Sequence, residues 1–147
     1  MKTLMIVFFA LLAVQTLSAQ VSGFPDEKKS AIVDNLTVGI KSEISGLQTS
    51  SALVLYDLIN ESYLESGDAS KTLIPLLRLL NNGKTDEERI AAAVALYQLD
   101  NLIGIHRLRG VAVFDSNERV AKICKNLYYT YHKLHGTEYL ISFWLQN

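Results

Sequence analysis

Apolar residues along most of this chain recur at intervals of three and four, which is the period of an amphipathic α-helix. The clearest series cover residues 73–80 and 120–134, and a less regular series consists of Ile44, Leu47, Val54, Leu55 and Leu58. Sustained alternation of apolar and polar residues, the pattern of a half-buried strand, does not occur. Clusters of serine, glycine, aspartate and asparagine separate the series. The pattern therefore predicts an all-α chain of about six helices in antiparallel pairs.

The first 19 residues have a different pattern from the rest of the chain. Lys2 precedes an uninterrupted apolar run at residues 4–14, which is shorter than the roughly 20 residues that a helix needs to span a bilayer. Small residues follow, ending at Ala19. We therefore predict a signal peptide at residues 1–19 and an exported protein, periplasmic or secreted, with no membrane span after cleavage. The alternative is a retained membrane anchor.

Two stretches of the chain resemble each other at a spacing of thirty residues, namely residues 85–91 and 115–121. Thr85 and Glu88 have the spacing of a capping box at a helix start, and we expect Asp115 with the glutamate three residues later to do the same. A period near thirty with two helices per unit predicts stacked helical hairpins that cover one another's apolar faces. The alternative is a simple helical bundle in which two helix starts are similar by chance.

Residues 70–129 carry the features of a helical repeat more specifically. Residues 73–80 form a predicted first helix with Pro75 near its start, and residues 89–96 form a second helix that follows Asp86 in the turn. This arrangement resembles HEAT-like repeats of the short type, which have roughly 30 residues each.

The resemblance implies a fold, a set of structural contacts and a class of function. The fold is a short α-solenoid of about three stacked hairpins over residues 20–136. In these repeats an aspartate of the turn and an arginine of the second helix bridge neighbouring units, and those positions are occupied by Asp86 with Arg89 and by Asp115 with Arg119. The second aspartate lies one residue earlier than the repeat pattern places it. The implied function is protein–protein contact.

Composition excludes several classes of protein. The 147 residues carry a formal charge of −1, which becomes −2 when Lys2 leaves with the leader, and this balance argues against nucleic acid as a partner. The only cysteine, Cys124, excludes internal disulfides and multi-cysteine zinc sites. Cys124 lies on an apolar stripe and is predicted to be a small core residue, while a disulfide between two chains stays open.

No motif of an enzyme is present, since the chain lacks a nucleophile elbow, a phosphate-binding glycine loop and a zinc-protease signature. We therefore predict a protein that is not an enzyme and holds no cofactor. His132 and His135 lie three residues apart near the predicted end of a helix. They support an alternative function, a small-molecule or metal-binding helical protein of the cell envelope that uses the gap between helix pairs at this point.

The main prediction is an exported, non-catalytic HEAT-like repeat protein that acts as a protein–protein interaction or scaffold module. Its partner is predicted to be another protein, bound on a concave face formed by the second helices. Candidate contacts on those helices are Gln98, Lys122 and Lys125. A further candidate is Trp144 in the aromatic segment 137–147, which either caps the last helix pair or docks on a partner.

Overall fold

The computed structural model describes residues 24–137, and over this range all regular secondary structure is helical, with no strand. The helices are α1 (Asp26–Ile40), α2 (Ser45–Asn60), α3 (Leu73–Asn82), α4 (Asp86–Gln98), α5 (Leu102–Phe114) and α6 (Glu118–Leu134). One turn of 3-10 helix, Ser70–Thr72, leads into α3. The predicted all-α class and the six helices are confirmed. The predicted signal peptide and all but the first residue of the segment 137–147 lie outside the described residues.

Consecutive helices pack as pairs, α1 with α2, α3 with α4 and α5 with α6. The second members of the pairs, which we call the second helices, also pack on one another in the order α2, α4, α6. The first helices α1, α3 and α5 touch in the same order over a smaller contact. Helix α4 is therefore the central element, because it contacts α2, α3, α5 and α6.

Small side chains allow α4 to occupy this central position. Its residues Ala91, Ala92, Ala93 and Ala95 are all at most 2% exposed. A side chain of one carbon lets neighbouring helices approach closely, so that the helices pack without voids between them. The run of three alanines at 91–93 therefore lies wholly within the helix packing.

The starts of α4 and α6 differ from each other, although their sequences are similar. At α4 the capping box is confirmed: the Thr85 hydroxyl accepts a hydrogen bond from the Glu88 N–H at 3.2 Å, and Glu88 accepts one from the Thr85 N–H at 3.3 Å. At α6 the expected cap is wrong, because Asn117 caps the helix by accepting from the Val120 N–H at 3.1 Å. Asp115 lies in the preceding turn, where its carboxylate binds a residue of α4.

The expected apolar face of α2 is confirmed for Leu55 and Leu58, which lie in or against the core. It is wrong for Ile44, Leu47 and Val54, which are 66%, 44% and 44% exposed. The buried face of this helix consists of Ser51, Ala52, Leu55 and Ile59. Helix α1 packs closely here, since a Cβ added to its Gly39 would collide with the Ser51 hydroxyl. Small residues therefore decide which face of α2 points inward.

Candidate interaction surface

Arg89 joins the second helix pair to the third. From α4 its guanidinium donates to both carboxylate oxygens of Asp115 in the turn before α6, and its Nε donates to the Leu80 carbonyl at 2.8 Å. The side chains of Arg89 and Asp115 are only 15% and 14% exposed. The hydrogen bonds from Arg89 hold the pKa of the Asp115 carboxyl below its usual range, although burial opposes this effect. The ion pair is therefore formed at neutral pH.

Arg119 makes a second, more exposed set of contacts across the same boundary. Its guanidinium lies 2.9 Å from a Glu87 carboxylate oxygen and 3.8 Å from one of Asp86. The Asn117 side-chain amide also donates to Asp86 at 2.6 Å. The four charged residues selected from the sequence are Asp86, Arg89, Asp115 and Arg119. In the structure Arg89 pairs with Asp115, and Arg119 lies close to Asp86. All four lie where the start of α4 meets α6 and the turn before it.

Pro75 and Cys124, two further residues singled out in the sequence, are both buried. Pro75 is the third residue of α3, in the first turn, where a backbone N–H has no acceptor within the helix and its absence costs little. Cys124 of α6 is 0% exposed, and burial raises the pKa of its thiol to about 12. Its predicted place in the core is confirmed. A thiol with this pKa stays protonated at neutral pH and is a poor nucleophile.

A groove with a volume of about 540 Å³ lies across the C-terminal ends of α2, α4 and α6, and we call it the aromatic groove. It is lined by Tyr56, Ile59, Tyr97, Tyr131 and Leu134, and by the polar residues Asn60, Ser66, Gln98, Asp100 and His135. Each of the three second helices supplies one tyrosine, and each tyrosine is half-buried. Leu134, the last residue of α6, is 72% exposed. The groove therefore presents aromatic and aliphatic carbon together with polar groups, on the helices that pack on one another.

Polar groups border the same groove. The His135 ring stacks on Tyr131 with 4.1 Å between ring centroids, and its Nε2 lies 3.9 Å from a carboxylate oxygen of Asp100. Burial, and then the charge of Asp100, raise the pKa of Tyr131. Burial also raises the pKa of Tyr97, with smaller contributions from Tyr56 and Asp100. These phenols are therefore neutral and keep their O–H donors at physiological pH.

The candidate contact residues occupy different positions relative to the groove. Gln98 lies in it and is half-buried, whereas Lys122 and Lys125 are exposed on α6 outside the lining. Trp144 lies outside the described residues. The tyrosines 56 and 97 were not selected from the sequence as contacts. The sequence does contain one signal for these two tyrosines, since each begins a Tyr-x-Leu triplet on successive second helices.

The two C-terminal histidines are used by local contacts. The His132 Nδ1 lies 2.7 Å from the Thr137 hydroxyl, and the His135 Nδ1 lies 2.8 Å from the Tyr131 carbonyl. Burial, and then the proximity of His135, lower the pKa of His132. Within residues 24–137 no group of three or more histidine, cysteine, aspartate or glutamate side chains is placed to hold a metal ion.

No helix of the described range is both long and apolar enough to cross a bilayer. Comparisons with family models, with curated proteins and with solved structures give no match for this chain.

Proposed function

We propose that this chain is an exported, non-catalytic HEAT-like repeat protein, a short α-solenoid of three stacked hairpins that acts as a protein–protein interaction or scaffold module. The pairwise packing of consecutive helices and the successive contacts of the second helices support the solenoid. The bridges from Arg89 to Asp115 and from Arg119 to Glu87 and Asp86 support it further, because they join the second hairpin to the third.

The observation that carries the proposed function is the aromatic groove. Tyrosine is enriched among the residues that contribute most to protein–protein affinity, since it combines a large apolar area with an O–H group. Here three tyrosines from three helices converge beside the exposed Leu134. Stacked helical repeats bind partners along such surfaces, which cross several units.

Two further candidate contacts, Lys122 and Lys125, are exposed on α6 outside the groove. We propose a protein partner that inserts side chains into the aromatic groove and contacts these lysines with a separate acidic segment. Gln98, within the groove, supplies an amide for a backbone hydrogen bond of the partner.

The experiment is capture of the partner by immobilised mature protein from the envelope and secreted fractions of its own cells, with mass-spectrometric identification. Three forms are compared: the native chain, Gln98→Arg, and the matched control Lys28→Glu on the exposed side of α1. We expect one dominant protein with the native and control forms, and about tenfold weaker binding with Gln98→Arg. Equal capture by all three forms, or no captured protein, contradicts the proposal.

The alternative, a small-molecule or metal-binding helical protein of the cell envelope, is favoured in its small-molecule form by one observation. The groove lies beside His135, where this alternative places its site, and its volume of about 540 Å³ is in the range of ligand pockets. A ligand specific to the folded state raises the midpoint of thermal unfolding. The alternative therefore predicts a concentration-dependent rise in this midpoint with at least one member of a metabolite and divalent-metal panel, and an unchanged midpoint across the panel counts against it.

A further inference from the structure

We infer that α5 lies flat on the surface of an anionic lipid bilayer, with its exposed apolar side chains inserted below the head groups and its arginines among the phosphates. This contact is made by one of the first helices, whereas the proposed protein contact is made by the second helices. The inference therefore does not rest on the proposed function. It is drawn from the exposed apolar side chains of α5, from their arrangement and from the charges beside them.

Helix α5 carries large apolar side chains on its outward face as well as on its inward face. Its inward face packs on α6 and α4. Its outward face carries four exposed apolar side chains, which belong to Leu102, Ile103, Val113 and Phe114. A helix that is apolar on all sides is normally buried, and a contiguous exposed apolar face marks a contact with a protein or a membrane.

The four exposed side chains lie on one side of α5. At about 100° per residue, they fall within an arc of about 120° around the helix axis. Along the axis they extend from the first residue of the helix to the last, over about 18 Å. Leu77 of α3 widens this face, since it lines an apolar groove together with Leu102 and Ile103. We call the four side chains of α5 the apolar strip.

Arginines border the apolar strip on both edges. On the same helical projection, Arg109 lies about 20° outside Leu102 and Arg107 lies about 20° outside Phe114. The Arg107 Nε donates to the Asn81 side-chain oxygen of α3 at 2.7 Å, in an exposed contact that keeps the guanidinium at the surface. Arginine stems cover apolar area while the charged ends reach the head groups. An apolar strip with cationic residues beside it is typical of a helix that lies in the plane of a bilayer.

The first helices α3 and α5 contain no acidic residue. Over Leu73–Asn82 and Leu102–Phe114 the chain has three arginines and one histidine, so its 15 aspartates and glutamates all lie elsewhere. The two carboxylates next to the ends of α5 face the second helices, because Asp115 pairs with Arg89 and Asp100 lies 3.9 Å from His135. The basic character of this face therefore stands out in a chain whose formal charge is −1.

These charges favour an anionic bilayer over the other possible occupants of the face. A second copy of the chain would place arginines against arginines, which repel each other. A folded protein would have to supply carboxylates along both edges of one apolar strip. A bilayer with anionic lipids presents phosphates on both sides of any inserted helix, and its negative surface attracts each arginine.

The test is co-sedimentation of the mature chain with large unilamellar vesicles. One set consists of phosphatidylcholine alone, and the other contains phosphatidylcholine and phosphatidylglycerol in equal amounts. We expect binding to the anionic vesicles to be at least tenfold tighter than binding to the neutral ones, because three arginines lie on or beside the inserted face. This difference is expected to shrink at high salt, since salt screens the surface charge.

Leu102→Asn and Leu134→Asn form a matched pair of variants. Both leucines are 72% exposed, and neither substitution changes the charge, but Leu102 belongs to the apolar strip and Leu134 to the aromatic groove. We expect Leu102→Asn to weaken binding to anionic vesicles about tenfold and Leu134→Asn to leave it unchanged. Arg107→Gln is expected to weaken binding to anionic vesicles about fivefold and to leave binding to neutral vesicles unchanged.

Several outcomes would overturn the inference. Absence of binding to anionic vesicles, or equal binding to both kinds of vesicle, shows that α5 does not recognise an anionic surface. Binding that Leu102→Asn does not weaken, or that both leucine variants weaken equally, shows that another part of the chain makes the contact. A dimer in solution that Leu102→Asn dissociates assigns the strip to a second copy. No protein partner is present in the assay, so these failures are distinct from a failure of the proposed function.

Discussion

Arg89 connects three parts of the molecule: the end of α3, helix α4 and the turn before α6. Its hydrogen bonds reach the Leu80 carbonyl at the end of α3 and both oxygens of Asp115 before α6, while its own backbone belongs to α4. The side chains of Arg89 and Asp115 are each about 85% buried. Removal of one of them therefore leaves the charge of the other with little access to water. Residues at such a junction are expected to act on stability rather than on binding.

Asp115→Ala is predicted to lower the free energy of unfolding by about 3 kcal/mol, because it leaves the guanidinium of Arg89 buried without its counter-charge. The measurement is urea denaturation followed by circular dichroism. Asp34→Ala is the control, since the ion pair of Asp34 with Lys71 is exposed and is expected to contribute less than about 1 kcal/mol. Equal losses for the two variants would show that the Arg89 bridge is not a stabilising junction.

Cys124 is predicted to react with a thiol reagent only when the protein unfolds. Its side chain is 0% exposed, and burial holds its pKa at about 12, so both access and the reactive thiolate are lacking. Labelling with Ellman's reagent checks this in native buffer and in urea, with Ser116→Cys as an exposed control that reacts at once. Rapid labelling of native Cys124 contradicts its place in the core. Slow labelling also means that a disulfide between two folded chains does not form through this residue.

Helix starts are decided by more than the identity of the local residues. Thr85 and Asp115 both precede similar sequences, yet only Thr85 caps its helix. The carboxylate of Asp115 is bound by Arg89 and also accepts from the Asn117 N–H at 2.9 Å. The cap of α6 therefore moves to Asn117, two residues later.

Asn117→Ala is predicted to lower the free energy of unfolding by about 1 kcal/mol, because the first turn of α6 loses its side-chain acceptor. Ser116→Ala, one residue earlier and exposed, is predicted to leave it within about 0.5 kcal/mol of the native value. Urea midpoints of both variants test where α6 begins. A larger effect at Ser116 than at Asn117 is incompatible with the observed cap.

The helices themselves are predictable from sequence, whereas part of their packing is not. Residues 73–80 and 120–134 show a strong period in large apolar side chains, and both form helices. On α2 the inward face contains Ser51 and Ala52, which a count of large apolar residues ignores. The reason is tertiary, since that face must fit against Gly39 of α1 and against α4.

The candidate surface was less predictable than the fold. Gln98 was selected from its place on a second helix, and it does line the aromatic groove. The groove itself depends on Tyr56, Tyr97 and Tyr131, which are far apart in the sequence and come together only when α2, α4 and α6 pack. Periodicity within one helix contains no information about such a meeting of three helix ends.

At the scale of the whole molecule, acid is predicted to destabilise the fold. The hydrogen bonds from Arg89 lower the pKa of Asp115, and the neighbouring Ser45 hydroxyl, with backbone N–H groups of Lys84 and Thr85, lowers that of the buried Glu88. A carboxyl with a lower pKa in the folded state stabilises the fold above its unfolded pKa. This stabilisation is lost as the pH falls through the folded value.

The free energy of unfolding is therefore predicted to be constant near neutral pH and to fall below about pH 4.5, the ordinary value for glutamate. Urea titrations at a series of pH values check the prediction, and Asp115→Asn is expected to flatten the dependence because one of the contributing carboxyls is gone. A stability that rises on acidification contradicts the assignment of these groups.

The six helices together create a surface that none of them has alone, and we propose that this surface binds another protein. The most direct measurement places a photo-crosslinking amino acid at position 98 in the aromatic groove and, separately, at position 28 on α1, and exposes both proteins to the envelope and secreted fractions of their own cells. We predict that position 98 forms an adduct with one other protein and that position 28 does not. No intermolecular adduct at position 98, or the same adducts from both positions, would contradict a partner-binding role for the second helices.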